Sequence, residues 1–570
     1  MALVSKGSIR IPGEALRDIL LKRYPLPQLQ VDPVDKPSVD PPQALKQAGP
    51  FASPRSAVEA VALSPIIASD DCIDVSASYL PYLLNIFDSF ASIGMSVCHW
   101  GKNNFTLLNA QAGAGAGALA RTGRLHLAVV DSAARLIDAF PIRIWVAKGG
   151  TLHTHDARSP IRNRGTGDVR AHGLVRTEFS FDQPIDAVIT WVNGGDPEWR
   201  DLVTKHADGR EIDFDRYADN DELRFAIRSI CTFAPWIRTI FVLSNCRPPA
   251  WFESTPRVKW IDHSEVNDGK YLPLFNSHSI ELMLADIPGL SEHFIYVNDD
   301  VMIAKPVRPL DFFNADGTSV SFMEASGRVL EFRDDGDRAE WEYAAANGAE
   351  LIQRRFGVFP TRLHQHVPFA LRRSILNGLA TEFPAEIERT KAARFRSASD
   401  VSAISFLYHH YARSIGAGVF GHSNSIIVRS TNYADFEEKV RRGAEFQFIC
   451  VNDGNGSHAD QKYTKFKKQF LPQMFPFKSE CESETKDVCG LKYSDIFKRG
   501  RDSTPLRRVE KLTLVRRQLH KLIVPIVGPF QSPDDRRRFC QDPIEYLRKA
   551  KAPSNRRIGR ILLTKEQRPY

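Results

Sequence analysis

Ile185-Asp-Ala-Val-Ile-Thr-Trp-Val192, running into Asn193-Gly194-Gly195-Asp196, reads as a buried strand that breaks into a glycine turn. The same grammar repeats downstream. Asp219-Asn220-Asp221-Glu222 precedes Leu223, Ile227 and Ile230 at helical spacing, which predicts a capped helix, and Pro235 closes it. Thr239-Ile-Phe-Val-Leu243 and Arg257-Val-Lys-Trp-Ile261 read as the next strands. A helix over 279–285 leads through Pro288-Gly289 to Phe294-Ile-Tyr-Val297, which stops at Asn298-Asp299-Asp300. Alternation of this kind predicts an α/β fold with a mostly parallel sheet. Ligands of such sheets sit beyond the carboxyl ends of the strands, where the acid-bearing turns 193–196 and 298–300 fall.

Outward from that core, the chain of 570 residues is long enough for two or three domains. With 43% hydrophobic and 25% charged residues it has material for a core, which excludes a wholly disordered protein. No apolar run approaches the ~20 residues of a membrane span. The N-terminus carries Lys6, Arg10, Glu14, Arg17 and Asp18, too charged for a secretory signal, so a cytoplasmic chain is expected. Residues 1–54 read as a Pro-rich segment and linker, and 55–175 as a smaller α/β module. That module is expected to hold a helix near 80–91 and strands near 125–130 and 142–146. Gly113-Ala-Gly115-Ala-Gly117 is not a dinucleotide fingerprint, because no strand runs into it. A main domain over 184–460 and a C-terminal extension over 461–570 complete the division.

The net charge of +8 is uneven: residues 491–570 hold 21 Lys and Arg against 8 Asp and Glu, a net of +13. Such a helical tail suits phosphate-rich partners or an anionic inner membrane face, where peripheral attachment is expected. Its bases are not interleaved with aromatics, which speaks against nucleic acid. The eight cysteines form no C-x-x-C pair and read as reduced, buried thiols.

Two adjacent carboxylates at the end of a buried strand are costly unless a positive group neutralises them. Asp299-Asp300 therefore points to a hard divalent cation, Mg²⁺ or Mn²⁺, against the plainer alternative of a solvated turn. Cys450-Val-Asn452-Asp453-Gly454 again follows an apolar stretch, and Asp453 is a further candidate ligand. Arginine pairs naturally with phosphate; Arg224 and Arg228 share a helix face, and Arg396 is another candidate. His364 and His366 lie in a polar, Pro-limited segment where either could act as a base, whereas His409-His410 reads as helix packing.

Four blocks resemble the Stealth family of bacterial capsular and exopolysaccharide phosphotransferases, and the catalytic subunit of the Golgi N-acetylglucosamine-1-phosphotransferase. They are 185–196; 216–224 with 234–238 and 294–302; about 364–411; and Phe448-Ile-Cys-Val-Asn-Asp453. The resemblance implies a GT-A-like nucleotide-sugar transferase domain. Its activity would be transfer of a sugar-1-phosphate from a nucleotide sugar, expected to be a UDP-sugar, to a hydroxyl of a glycan acceptor, with a nucleoside monophosphate leaving. It implies that Trp191, Asn193, Gly194 and Asp196 line the nucleotide side. Asn220, Asp221, Glu222 and Arg224 would face the sugar-phosphate, and Asp299, Asp300 and Asp453 would hold the metal. His366 and Arg396 would be the catalytic histidine and arginine. Phe369 stands where the eukaryotic pattern has a second histidine, which leaves His364 and His366 both open. The alternatives are a glycosyltransferase that releases a nucleoside diphosphate, and a glycan-binding scaffold without turnover.

Overall fold

The computed structural model describes residues 51–483 except 64–71, 102, 111–115, 166–178, 211, 213–216, 267–268, 330–338 and 455. The Pro-rich segment before residue 51, residues 113–115 of the Gly-Ala run and the basic tail from 491 lie outside the described residues, and Ala116 and Gly117 begin the helix Ala116–Thr122. No helix among the described residues is long and apolar enough to cross a membrane.

The first module is built on a seven-stranded sheet. Its strands are β1 (Ile73–Ser76), β2 (Met95–Gly101), β3 (Asn104–Leu107), β4 (Arg124–Asp131), β5 (Leu136–Lys148), β6 (Thr151–Thr154) and β7 (Asn163–Gly165). The order is β3-β2-β4-β5-β6-β7, antiparallel throughout, with β1 added parallel to β5. Alternation along β4 decides what each face meets. Leu125, Leu127 and Val129 join Leu83, Phe87 and Phe140 in the module's own core. His126 points the other way, with Nε2 2.5 Å from the carbonyl of Thr232 on the next domain.

The main domain centres on five strands, β8 (Ile185–Thr190), β9 (Ile240–Ser244), β10 (Val258–Asp262), β11 (His293–Asn298) and β15 (Phe369–Arg372). Their order is β10-β9-β8-β11-β15; the first four are parallel and β15 is an antiparallel edge. The expected parallel sheet is therefore present with one reversed edge. The chain runs outward from β8 to β10 and then returns to place β11 on the other side of β8. This makes a switch point between β8 and β11, with Thr190 opposite Asn298.

Two three-stranded sheets flank it. One joins β12 (Val301–Ile303), β17 (Ser425–Val428) and β18 (Phe448–Val451); the other joins β13 (Ser319–Gly327), β14 (Arg362–His364) and β16 (Gly418–Gly421). Antiparallel pairing of β12 with β18 sets Val301 against Cys450, which draws the 452–454 turn up to the 298–300 turn.

The helix Glu222–Phe233 is buried on every side, because the first module covers one face and residues 475–482 another. Arg228 on that helix grips Glu482 through Nε at 2.8 Å and Nη2 at 2.5 Å. The six described cysteines are all buried.

Candidate active site

Asn298 ends β11 and the backbone turns through Asp299 and Asp300 before β12 begins. Three partners gather on Asp300. Cys450 Sγ donates to its Oδ2 at 3.2 Å, Asn452 Nδ2 donates to the same oxygen at 3.3 Å, and His366 Nε2 lies 3.7 Å from Oδ1. Burial works to raise the Asp300 carboxyl, but His366, Cys450 and Asn452 outweigh it and hold it below the usual range. Asp299 has no such support. Burial, then the charge of Asp300, pushes it well above the ordinary carboxylate value.

Oxygen atoms are left over at this turn. Asn298 Oδ1 and Asp300 Oδ1 are buried and accept no hydrogen bond. Asn298 Oδ1 and Asp300 Oδ1, the latter with only the His366 ring 3.7 Å away, together with the Asp299 carboxylate suit a hard divalent cation. Asp300, His366 and Cys450 also place one donor atom each within 4.8 Å of one another. The Cys450 thiol is pushed well up by burial and by Asp300, so it is a poor thiolate donor, and the oxygen set fits better.

Asp453 reaches the same cavity but is engaged elsewhere. Lys467 Nζ stands 2.6 Å from both its carboxylate oxygens, and Asn220 Nδ2 donates to it at 2.8 Å. Glu222 shares that lysine at 2.6 Å and accepts from the Asn220 amide at 2.5 Å. Asp453, Glu222 and Lys467 thus form a charge network below the acid turn, while Asp299 and Asp300 face the open space.

That space is a cavity of ≈ 690 Å³ lined by Asn298, Asp299, Asp300, Glu281, His366, Arg396 and Arg429, with Asn452 and Asp453. A slot of ≈ 190 Å³ adjoins it, sharing Val192, Ser277, Asn298, Asp299 and Arg396. The slot lies at the ends of β8 and β9 and is walled by Trp191, Trp199, Tyr217, Phe275 and Tyr296.

Arg396 holds its guanidinium by donating to Ser277 Oγ, Nη2 at 2.6 Å. Asp400 braces that corner by accepting from Asn276 Nδ2 at 2.9 Å and from the Ser397 amide at 3.1 Å.

Both histidines line the cavity, but their partners differ. His364 is buried with both ring nitrogens committed. Nε2 accepts from the Phe322 amide at 2.9 Å, and Nδ1 faces the Gln365 carbonyl at 2.5 Å. Burial lowers it to about 3. His366 borders the cavity with about a third of its side chain exposed. Burial would lower it, but the Asp300 carboxylate holds it above the ordinary histidine value.

Other residues singled out from sequence have mainly structural contacts. Trp191 lines the slot and donates Nε1 to Asp219 at 3.1 Å. Asn193 Oδ1 closes its own turn on the Gly195 amide, and Asp196 caps the helix Pro197–His206 by accepting from the Glu198 amide at 3.0 Å. Gly194 donates its amide to the Tyr217 carbonyl at 2.6 Å. Arg224 does not border the cavity. Its Nε lies 3.1 Å from Asp221 Oδ2 and its guanidinium covers Trp251. Asp221, the left-handed residue before the helix at φ +74°, is raised to about 6 by burial.

Lys467, Arg429 and Glu281 escaped the sequence reading. Lys467 sits among exposed lysines of the helix Gln461–Met474, and nothing in their spacing marks the buried one. Arg429 follows directly on the apolar strand Ser425–Val428, the same strand-then-polar signal that picked out 298–300, and it could have been found that way.

Residues 183–205, 216–321 and 365–414 match the family models for Stealth protein conserved regions 1, 2 and 3. The capsular polysaccharide phosphotransferase SacB of Neisseria meningitidis serogroup A is 35% identical over 323 residues, covering 54% of this chain and 58% of that protein. An exopolysaccharide phosphotransferase of Nocardia farcinica is 38% identical over 312 residues, covering 53% and 61%. The exopolysaccharide phosphotransferase CpsY of Mycobacterium leprae is 35% identical over 346 residues, covering 58% and 63%. The chain thus spans about three-fifths of the length of these relatives. Among solved structures, the galactosyltransferase LgtC with donor and acceptor sugar analogs overlaps at a TM-score of 0.27 and 13% identity, covering 49% of this chain and 94% of that one. The bifunctional glycosyltransferase WbbM overlaps at 0.28 and 10%, covering 60% and 54%. Both overlaps are too loose to place a residue. The acid turn, His366 and Arg396 all fall within matched segments, and the segments similar to Stealth conserved regions 1, 2 and 3 follow one another in that order.

Proposed function

We propose that this protein transfers a sugar-1-phosphate from a nucleotide sugar to a hydroxyl of a glycan acceptor and releases a nucleoside monophosphate. The observation that carries the reading is the pair of unsatisfied oxygens, Asn298 Oδ1 and Asp300 Oδ1, beside an aromatic slot and a cavity-facing histidine. The names of the relatives and the three matched regions point the same way. The five-stranded sheet with ligand groups at its switch point is read as a GT-A-like nucleotide-sugar domain.

The aromatic walls of the slot suit a nucleobase, a uracil being the expected one, because every base offers a face for stacking. From there the diphosphate would run past the acid turn. Asn298, Asp299 and Asp300 would hold Mg²⁺ or Mn²⁺, which when bound would neutralise charge on the non-bridging phosphate oxygens. Arg396 borders both slot and cavity, and its positive charge, held in place by Ser277, would stand beside the phosphate that is transferred. Arg429, held by Asn452 Oδ1 at 3.2 Å, faces the cavity from the other side. His366 in its neutral form can take the proton from the attacking hydroxyl, with Asp300 orienting the ring and stabilising the imidazolium that results. Catalysis in such transfers is chiefly positioning and charge neutralisation, the two things these side chains provide.

A panel of nucleotide sugars with the full chain, Mg²⁺ and a glycan acceptor, followed by phosphorus NMR, tests this. Release of a nucleoside monophosphate with a new phosphodiester is expected, together with its loss in Asp300→Asn. Release of a nucleoside diphosphate would identify a glycosyltransferase instead, and no donor binding at all would leave a glycan-binding scaffold.

A further inference from the structure

The cavity does not end at His366. It continues to the first turn of the helix Glu340–Phe356, where Glu324, Arg328, Trp341 and Leu363 border it. Trp341 is 44% exposed. Among the exposed large apolar side chains of the described residues, it is the one that lines this cavity. A few residues further on, Ala344 and Ala345 carry the buried stripe that anchors the helix, so the indole is not needed for packing.

An exposed indole that lines the same cavity as a carboxylate–guanidinium pair has a specific complement. A pyranose ring presents an apolar C–H face and a rim of hydroxyls. The face can stack on the indole while the rim hydrogen-bonds to Glu324 and Arg328, which pair with each other at 3.2 Å and border the same cavity. Glu324 would repel a nucleoside phosphate, whereas a neutral sugar can meet both charges of the pair.

The order along the cleft says which sugar belongs there. The aromatic slot and the cavity share Asp299 and Arg396, whereas Trp341 borders the cavity alone. With the donor running from slot to acid turn, Trp341 borders the part of the cleft that the slot does not share.

We propose that Trp341 is the stacking platform of an acceptor subsite that takes a pyranose unit of the glycan, with Glu324 and Arg328 reading its hydroxyls. This rests on the donor assignment above and names the substrate class on the opposite side of the same site.

The test uses the full chain as wild type, Trp341→Ala, Trp341→Gln and Trp341→Phe. Each is probed on an array of pyranose oligosaccharides, and in parallel titrated with a UDP-sugar and Mg²⁺. Wild type is expected to bind at least one pyranose oligomer. Trp341→Ala and Trp341→Gln should weaken that binding about tenfold or more, and Trp341→Phe should retain most of it. The donor titration should be the same in all four. Equal glycan binding in wild type and Trp341→Gln overturns the subsite, as does absence of any pyranose binding by wild type. Failure of the wild type to bind the UDP-sugar would instead overturn the donor reading, so the two failures are distinguishable.

Discussion

The ammonium of Lys467 stands 2.6 Å from both carboxylate oxygens of Asp453, while its own side chain is fully buried. It also meets Glu222 at 2.6 Å, so one cation balances two acids directly beneath the acid turn. Burial tends to strip the proton from such a lysine, but Glu222 and Asp453 together hold it above the ordinary lysine value.

Replacing Lys467 with Met removes the cation and leaves two carboxylates in a buried site. Losing one partner of a buried ion pair costs about 3–5 kcal/mol, so Lys467→Met should lower urea stability by that order. The pH sign follows from Glu222. Burial already pushes its carboxyl upward, and losing Lys467 removes the charge that opposes that rise. The resulting penalty is absent below the ordinary carboxylate range and grows as pH rises through the folded value. The deficit relative to wild type should therefore shrink on acidification, and urea titrations at pH 8 and pH 5.5 check it. A constant deficit would mean that the acids are not the source of the loss.

Gly194 sets the shape of the slot. A Cβ at this position would lie 2.7 Å from the Tyr217 carbonyl oxygen and 2.8 Å from Tyr217 Cβ. Backbone cannot yield that distance without moving Tyr217, which walls the slot. Gly194→Ala should raise the dissociation constant for a nucleotide sugar about tenfold, as one stacking wall is displaced. Calorimetric titration measures this, and unchanged affinity would remove Tyr217 from the donor site.

Acid should unfold this protein through its buried histidines. Burial lowers His364 to about 3, and His263 and His410 to about 4, from an ordinary value of 6.5. These groups stay neutral in the folded chain and charge in the unfolded one. The stability they allow is complete above 6.5 and is lost as pH falls toward the folded values, ~1.4 kcal/mol per pH unit for each. Thermal midpoints should fall steeply between pH 6.5 and 4.5. His410→Gln, which can still donate to the Arg362 carbonyl that His410 Nε2 contacts at 2.8 Å, should give a shallower slope.

Much of this was legible in the sequence, for reasons that differ between residues. Strands β8 to β11 announce themselves because each is a short apolar run cut by Asn, Asp or Gly, whereas their order in the sheet, and with it the switch point, is set by long-range pairing that the sequence does not show. Asp299 and Asp300 stand out because paired acids at a strand end have no cheap explanation. Arg224 and Asp196 have contacts within the fold that the sequence does not reveal. Helical spacing put Arg224 on a face shared with Arg228, but that face turns to Glu482 and Trp251 rather than to the cavity. Asp196 has the composition of a ligand and the contacts of a helix cap. Lys467 could not be found at all, because burial of one lysine among several is decided by partners 245 and 14 residues away.

The division of labour between His364 and His366 is the sharpest consequence of the geometry. His364 has both nitrogens tied to backbone and no free electron pair for a substrate proton. His364→Gln should therefore cost stability, about 1–3 kcal/mol for a buried amide left poorly paired, and change turnover little. His366 faces the cavity with Asp300 behind it at 3.7 Å. Removing a general base typically lowers turnover ~10²–10⁴-fold, so His366→Ala should lose kcat by that order while binding the nucleotide sugar within a few-fold of wild type. A base that acts in the transition state adds nothing to donor affinity, which is why the split between kcat and dissociation constant is the informative measurement. Steady-state release of nucleotide together with calorimetric donor titration checks both variants. A His366→Ala enzyme that turns over normally, beside an inactive but well-folded His364→Gln, would reverse the assignment.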